Sequence, residues 1–389
     1  MTSKWLKGIA AAVALCLTLC LAGCGGNGES SSSDSSESGS EENTVPVKIG
    51  YIFHEKVEEG GFTGQLNEQR LKAARRCGVE TVYIEDVSVQ DFESAVKALV
   101  SDGCNEIVAC SPTFTNTLSS IAGRYMNVNF INYGATSAGS SNSFSYTETA
   151  YQGAYIAGMA AAYNSKSQKI GFVADPEMLY TYATTNAAAL GVRMVFASGT
   201  LYAAGATEKD EIRQAIDELV KKGCDVIITY TSSPYAAEYC EQKGIKFIGN
   251  HDFSGVEENY KNMLMYFYAK RDSLFVSQFK QMKMDIWQPD TYVGSMANGI
   301  ITISEALHEA ASKDTQKILD EISPLITSGK AFIFSGELRD TLGNVRYMQS
   351  DIMSDAQIYA MDWYVLGVEL VGNFRKPHES PTNSFEIKS

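Results

Sequence analysis

The residues that do chemistry in enzymes are present here, but not in the spacings that enzymes use. Four histidines, His54, His251, His308 and His378, are scattered without metal-ligand spacing. There is no GxSxG, GxxxxGK[ST] or HExxH string; the nearest to the first, Ala135-Thr136-Ser137-Ala138-Gly139, lacks its leading glycine. Carboxylates are abundant, but on a chain of net charge −14 most belong to a solvated surface. Neither catalysis nor a metal or organic cofactor is expected.

Binding is better supported. Aromatic and hydrogen-bonding side chains crowd the ends of short apolar runs: His54, Glu59 and Phe62; Ser111-Pro112-Thr113-Phe114; Tyr146-Thr147; Asp175, Tyr180 and Tyr182; Tyr230-Thr231-Ser232-Ser233; Asn250-His251-Asp252; Tyr266, Phe267 and Tyr268. In open α/β sheets the turns that leave the C-terminal ends of strands are where ligands bind. If two sheets face each other by those ends, the positions converge on one cleft. They suit a flat, partly polar ligand, with aromatics over its faces and Asp, Asn, Ser and Thr reading its edge. A stacked ring contributes about 1–3 kcal/mol, by analogy with base–aromatic stacking. Phe62, in the turn between Gly61 and Thr63-Gly64, has two readings at this level. It covers the face of a ligand, or it staples a helix start against the sheet.

The elements that must position these residues follow from periodicity. From Val45 onward, short apolar strands alternate with amphipathic helices. Strands are expected at Val47–Phe53, Val82–Glu85, Glu106–Cys110 and Asn129–Asn132, with helices at Gln65–Cys77, Asp91–Ser101 and Asn116–Tyr125. After an extended piece at Ser143–Tyr146 and a small-residue helix at Thr149–Tyr163, a second series begins. Its strands are Lys169–Ala174, Ala197–Tyr202, Val226–Tyr230 and Lys246–Gly249, and its helices Tyr180–Phe196, Glu208–Lys222 and Pro234–Lys243. Such alternation implies right-handed βαβ units and parallel sheets, hence two doubly wound lobes. The remainder reads as extended Met263–Phe267, helix Asp272–Met284, extended Thr291–Val293, helix Thr302–Ala311, helix Thr315–Ser328, strand Lys330–Phe334, and a last helix near Asp355–Val371. Late segments of this kind can cross between lobes and form a hinge around the cleft. The division expected is lobe 1 over residues 45–147 and about 252–290, lobe 2 over 148–251 and about 291–375, and a tail at 376–389.

The N-terminus is a processing signal. Lys4 and Lys7 precede an apolar stretch, Ile9 to Leu21, too short to span a membrane comfortably. It ends in Leu21-Ala22-Gly23-Cys24, which resembles the lipobox of bacterial lipoproteins. Residues 1–23 are then a signal peptide, Cys24 carries lipid, and the protein is held at the outer face of a membrane. Residues 25–44 hold eight serines, four glycines and five acids with no apolar side chain, the composition of a disordered tether. Without signal and tether the body carries −11, which argues against nucleic acid or an anionic membrane surface as its partner. Five cysteines remain beyond Cys24: Cys77, Cys104, Cys110, Cys224 and Cys240. The odd number and the lack of CxxC suit buried thiols rather than a disulfide framework, although a Cys104–Cys110 bridge is open.

Several strings together resemble the basic membrane protein family of substrate-binding lipoproteins, from about Val47 to Gly372. These are Lys48-Ile49-Gly50-Tyr51-Ile52, Glu59-Gly60-Gly61-Phe62-Thr63, Ala154-Tyr155-Ile156-Ala157-Gly158, Lys169-Ile170-Gly171-Phe172-Val173 and Thr231-Ser232-Ser233-Pro234. The tail is the most distinctive: Phe334-Ser335-Gly336, Asp340-Thr341-Leu342-Gly343-Asn344-Val345-Arg346, Met361-Asp362-Trp363-Tyr364-Val365 and Gly367-Val368. The resemblance implies an α/β type I periplasmic-binding-protein fold, with two parallel-sheet lobes joined by a multi-strand hinge. It implies an extracytoplasmic receptor of an ABC importer, monomeric in its folded part, passing a purine nucleobase or nucleoside to a permease. It implies that Phe62 stacks on the purine, favouring that reading over the staple, and that Phe114 and Tyr266 or Tyr268 belong to the pocket. Glu59 and Asp252 are then acceptors for ring N–H groups, and Tyr146, Tyr180, Tyr230 and Asn250 complete the expected site. One departure stands out. Where the family has Gly-Tyr-Asp-Ser-Asp, this chain has Gly249-Asn250-His251-Asp252, so the acid is either replaced by His251 or shifted to Asp252. A sensing receptor of the same fold, for a sugar, amino acid or signal, is the rival reading.

Overall fold

A computed structural model describes residues 45–307 and 310–372. The proposed signal, Cys24, the tether and residues 376–389 lie outside it, as does His308. Lobe 1 begins with β1 (Lys48–Ile52), α1 (Phe62–Cys77), β2 (Glu80–Ile84), α2 (Phe92–Ser101), β3 (Glu106–Ala109), α3 (Thr115–Ile121), β4 (Asn129–Tyr133) and β5 (Ser143–Glu148). Lobe 2 follows with α4 (Ala150–Asn164), β6 (Lys169–Ala174), α5 (Thr181–Val195), β7 (Thr200–Gly205), α6 (Lys209–Lys221), β8 (Val226–Tyr230), α7 (Tyr235–Lys243), β9 (Lys246–Gly249) and β10 (Met263–Ala269). The chain returns to lobe 1 for α8 (Asp272–Lys283) and β11 (Thr291–Gly294). It ends in lobe 2 with β12 (Ile301–Ile303), α9 (Lys313–Thr327), the hairpin β13 (Leu338–Arg339) and β14 (Val345–Tyr347), α10 (Asp355–Tyr359) and β15 (Val368–Val371).

The lobe 1 sheet has the order β11-β5-β4-β3-β1-β2 and the lobe 2 sheet β12-β10-β9-β8-β6-β7-β15. Both are parallel except where β12 pairs antiparallel with β10. The inner strands bury both faces. On β1, Ile49 and Tyr51 join the core under α1 and α8, while Ile52 joins the core under α2 and α3. That is the two-residue alternation of a strand covered on both sides. In lobe 2, α4, α5 and α9 cover one face and α6 and α7 the other. The small-residue composition of α4 has a direct cause. A methyl at Gly158 would sit 2.1 Å from the Ala188 carbonyl oxygen, and one at Gly191 2.1 Å from that of Tyr155. The backbones of α4 and α5 meet with no room for side chains between them. The described cysteines Cys77, Cys104, Cys110, Cys224 and Cys240 are all free and buried.

Four sequence expectations change. Helix α1 begins at Phe62, not Gln65, because Gly61 is extended (φ −84°, ψ −179°) and serves as its N-cap. Where the helix expected at Thr302–Ala311 would start, Ile301–Ile303 form strand β12, held by Ile303 opposite Phe267. No strand forms at Lys330–Phe334. The helix expected near Asp355–Val371 shrinks to α10, and its last four residues become β15, paired with β7 from Leu201 to Ala204. The lobe boundaries move accordingly. β10 pairs with β9 in lobe 2 and β11 with β5 in lobe 1. The second and third crossings therefore fall after Ala269 and after Gly294, rather than near residues 252 and 290. None of the described helices is long and apolar enough to cross a membrane.

Candidate functional site

The C-terminal ends of both sheets face one cleft, as the topology of open parallel sheets requires. It holds a cavity of about 250 Å³, walled from lobe 1 by His54 and Glu55 after β1, Phe62 and Thr63 at the start of α1, Cys110–Thr113 after β3, and Tyr133 at the end of β4. Lobe 2 contributes Asp175 after β6, Glu177, Met178 and Leu179 in the following turn, Thr207 after β7, and Ser232 after β8. A smaller chamber of about 40 Å³ adjoins it toward the hinge, lined by Gln65, Glu148, Tyr230, Asn250, His251, Tyr268 and Arg271 among others. Phe62, Tyr133 and Met178 line both spaces and form the partition between them.

The polar character of the larger cavity is acidic. Asp175 is 1% exposed. It accepts hydrogen bonds from Ser232 Oγ at 2.8 Å, Thr207 Oγ1 at 3.1 Å and the Glu177 amide at 2.8 Å. Burial raises its pKa, and those bonds offset only part of the rise. Glu55 is raised too, first by loss of water in the cleft and then by the charge of Asp175. Glu55, Asp175 and Glu177 present acceptors, with no lysine or arginine among the described residues of the same wall. The lining suits a ligand edge rich in N–H or O–H donors and opposes an anion.

The partition is backed by an ion pair at the hinge. Arg271, between β10 and α8, and Glu148, the last residue of β5, are 5% and 4% exposed. Arg271 donates through Nε to Glu148 Oε1 and through Nη2 to Oε2, the latter at 2.7 Å. Its Nη1 reaches the Ala269 carbonyl at 3.2 Å. Burial works against its charge, but the Glu148 carboxylate more than compensates and raises its pKa. The flat guanidinium lies 5.0 Å from the centroid of Phe62 and 5.6 Å from that of Tyr133. The crossings are also bonded to one another: the Thr149 amide donates to Gly294 O at 2.8 Å and the Lys270 amide to Ile300 O at 2.7 Å.

The two rims touch. The first amides of a helix have no partner within it, and that of Phe62 donates across the cleft to Ser232 O at 2.8 Å. Lys209 of lobe 2 pairs with Glu58 of lobe 1 at 3.1 Å. Nearer the hinge, Thr147 Oγ1 donates to Tyr180 Oη at 2.9 Å.

The residues expected from the sequence divide accordingly. Phe62 walls both spaces, and Tyr230, Asn250 and Tyr268 line the small chamber. Asn250 is occupied in ordering its own turn, through Thr229 Oγ1 and the Thr231 backbone. Phe114 is fully buried and stacks on Phe92 at 4.5 Å, beneath the cavity rather than on its wall. Tyr146 is fully buried beside Tyr133 and Phe275, and its hydroxyl finds no hydrogen-bond partner among the described residues. Tyr180, in a left-handed conformation (φ 54°), stacks on Tyr359 at 4.3 Å. Tyr266 packs in the lobe 2 core with its hydroxyl on Glu257 at 2.9 Å. Glu59 is exposed, away from the cavity wall. Asp252 accepts from the Ser254 amide and hydroxyl at 3.0 and 2.6 Å, capping its own turn. The wall position is taken by His251, buried against Ser233 O at 3.3 Å, with its pKa lowered by burial to about 4 and so neutral near pH 7. Glu55, Tyr133, Met178, Thr207 and the Arg271–Glu148 pair were not expected. The first four stand within a few residues of a strand end, a signal present in the sequence. Arg271 and Glu148 also stand at strand ends; what carries no sequence signal is their pairing.

The profile of the family described as ABC transporter substrate-binding protein PnrA-like matches residues 46–330. A purine-binding protein of Brucella abortus (strain 2308) is 21% identical over 329 residues, covering 83% of this chain and 93% of that protein. A Haloferax volcanii protein provisionally named as an ABC transporter glucose-binding protein is 21% identical over 302 residues, covering 74% and 75%. Among solved structures, an ABC transporter solute-binding protein from Conexibacter woesei superposes with a TM-score of 0.62 at 15% identity, covering 73% of this chain and 97% of that one. The two lobes, their parallel sheets and their connecting strands are those of the type I periplasmic-binding fold. The chain therefore belongs to the PnrA-like family of ABC transporter substrate-binding proteins, which capture solutes for import and are not enzymes.

Proposed function

We propose that this protein captures a purine nucleobase or nucleoside in the cleft, outside the cytoplasmic membrane, and delivers it to the permease of an ABC importer. The observation that carries the reading is the pairing of one aromatic wall with an acidic rim. Phe62 offers a ring to a flat ligand, while Asp175, Glu55 and Glu177 stand where ring and exocyclic N–H groups, or ribose hydroxyls, would need acceptors. The Brucella relative named for purine binding supports it. Lipid on Cys24 would hold the domain near its permease, on the strength of the Leu21–Cys24 string.

A sugar is the second reading, favoured by the Haloferax relative and by the hydroxyl-rich wall of Ser111, Thr113, Thr207 and Ser232. Isothermal titration with adenine, guanine, hypoxanthine, their nucleosides and glucose separates the two. Heat and a thermal shift with at least one purine are expected, and silence from all of them sinks the purine assignment. Phe62→Ala should weaken purine binding about tenfold or more, the lower part of what one stacked ring contributes. An unchanged affinity would remove Phe62 from the stacking role.

A further inference from the structure

Phe62 does not meet the cleft as a simple ring. Arg271 lines only the small chamber, whereas Phe62 lines both spaces. The guanidinium therefore approaches the ring from the chamber side, 5.0 Å from its centroid. It is held there from three directions: by both oxygens of Glu148, by the Ala269 carbonyl, and through its own backbone amide by Gln69 Oε1 at 3.1 Å. Three of its five N–H donors are engaged by Glu148 and the Ala269 carbonyl, and the group lies over the rings of Phe62 and Tyr133.

A phenyl ring carries negative potential on its faces and attracts cations there. A fixed cation on one face draws π density toward itself and weakens the negative potential of the other. The far face then prefers an electron-rich, neutral ring and gains little from a positively charged one. The acidic lining at Glu55, Asp175 and Glu177 attracts donors at the ligand's edge. Edge and face thus select different properties of one molecule.

We propose that Arg271, clamped by Glu148, is a specificity-determining residue that acts through Phe62, holding the ring as the cavity wall and tuning its open face toward neutral, electron-rich planar ligands over cationic ones. The proposal rests on the purine reading, since it assumes that the ligand stacks on Phe62. Arg271 itself need not touch the ligand. Loosening of the site alone would weaken related ligands alike, so the informative quantity is a ratio of affinities.

The test is titration of guanosine and of N7-methylguanosine, whose ring is positively charged at mildly acidic pH. Wild type is compared with the double variant Arg271→Met/Glu148→Met, which removes both buried charges together, and with Phe62→Leu, which keeps the ion pair and removes the ring. Replacing both members of a buried pair with apolar residues avoids a stranded charge. Wild type is expected to prefer guanosine by about tenfold or more, and each variant to narrow that preference to about threefold or less, within the range of single cation–π contacts. The double variant keeps the Phe62 wall, so a steric effect of the methyl group is common to it and to wild type and cancels between them. A wild-type preference near one, or a preference that survives in either variant, overturns the role of Arg271 and leaves the purine reading standing. Should the double variant fail to fold, Arg271→Gln/Glu148→Gln, which removes both charges and keeps hydrogen-bonding groups, takes its place under the same criterion. No heat from either nucleoside with wild type overturns this inference, while the purine reading falls only if the wider purine panel is silent too.

Discussion

Closure of the cleft depends on one missing side chain, at Gly61. Its backbone (φ −84°, ψ −179°) is open to any residue, so alanine adds no conformational strain. The new methyl, however, would lie 2.9 Å from Ser232 O and 3.2 Å from Pro234 Cδ, both across the cleft, and 3.4 Å from Glu58 O in its own turn. The first distance is shorter than nonbonded carbons accept, and the atom it meets is backbone. The turn must retreat from lobe 2, and the hydrogen bond from the Phe62 amide to Ser232 O, now 2.8 Å, lengthens or breaks. An amide–carbonyl bond of this kind is worth about 0.5–1.5 kcal/mol net. The exposed Glu58–Lys209 pair adds little when disturbed. With the lobes apart the methyl touches nothing of lobe 2, so the whole cost falls on the closed state. Gly61→Ala should therefore weaken ligand binding by about two- to tenfold. Titration calorimetry reads the affinity. Small-angle scattering, or distance measurements between spin labels on the two lobes, reads the closed fraction without needing the ligand's identity. Wild-type affinity together with a wild-type closed fraction would refute the claim that this contact helps to hold the lobes shut.

Two further outcomes concern stability. Glu106 is 4% exposed; Asn129 donates to its Oε1 at 2.9 Å, and its Oε2 has no hydrogen-bond partner among the described residues. Burial pushes its pKa from 4.5 up to about 8. A raised folded-state value favours the native state fully below the unfolded pKa, and that contribution is lost as pH rises toward 8. Urea denaturation should show wild type losing stability between pH 5 and pH 8 relative to Glu106→Gln, by an amount on the order of a few kcal/mol; parallel curves would contradict it. Gly158→Ala should destabilise the chain by about 1–3 kcal/mol by forcing α4 off α5, with ligand affinity unchanged in the fraction that folds.

The doubly wound architecture was legible because strands and helices alternate cleanly from Val47 to Gly249. The late segments were less so. Short apolar runs such as Ile300-Ile301-Thr302-Ile303 suit a helix or a strand equally, and only pairing with β10 decides. The same holds for Val368–Val371, whose partner β7 lies far away in sequence. The cleft was legible as a place more than as a residue list. A strand-end aromatic can turn into the cleft, as Tyr133 does, or into the core beneath it, as Phe114 and Tyr266 do. Sequence offers no sign of which, since both environments reward an aromatic ring. The ion pair behind Phe62 was invisible for another reason: Glu148 and Arg271 sit 123 residues apart and meet only because two lobe crossings run side by side.

The place of β15 has a consequence for how the chain is made. The strand closes the lobe 2 sheet beside β7, yet it is the last described element. Until residues 368–371 are available, β7 remains an edge with unpaired amides and carbonyls, the kind of surface that invites pairing with another chain. The lobe 1 sheet likewise waits for β11, contributed only after most of lobe 2 has been synthesised. Neither lobe can be completed from its own first stretch of sequence. Contacts this distant fold more slowly than local ones, and they keep the chain from reaching its final form until almost all of it has emerged.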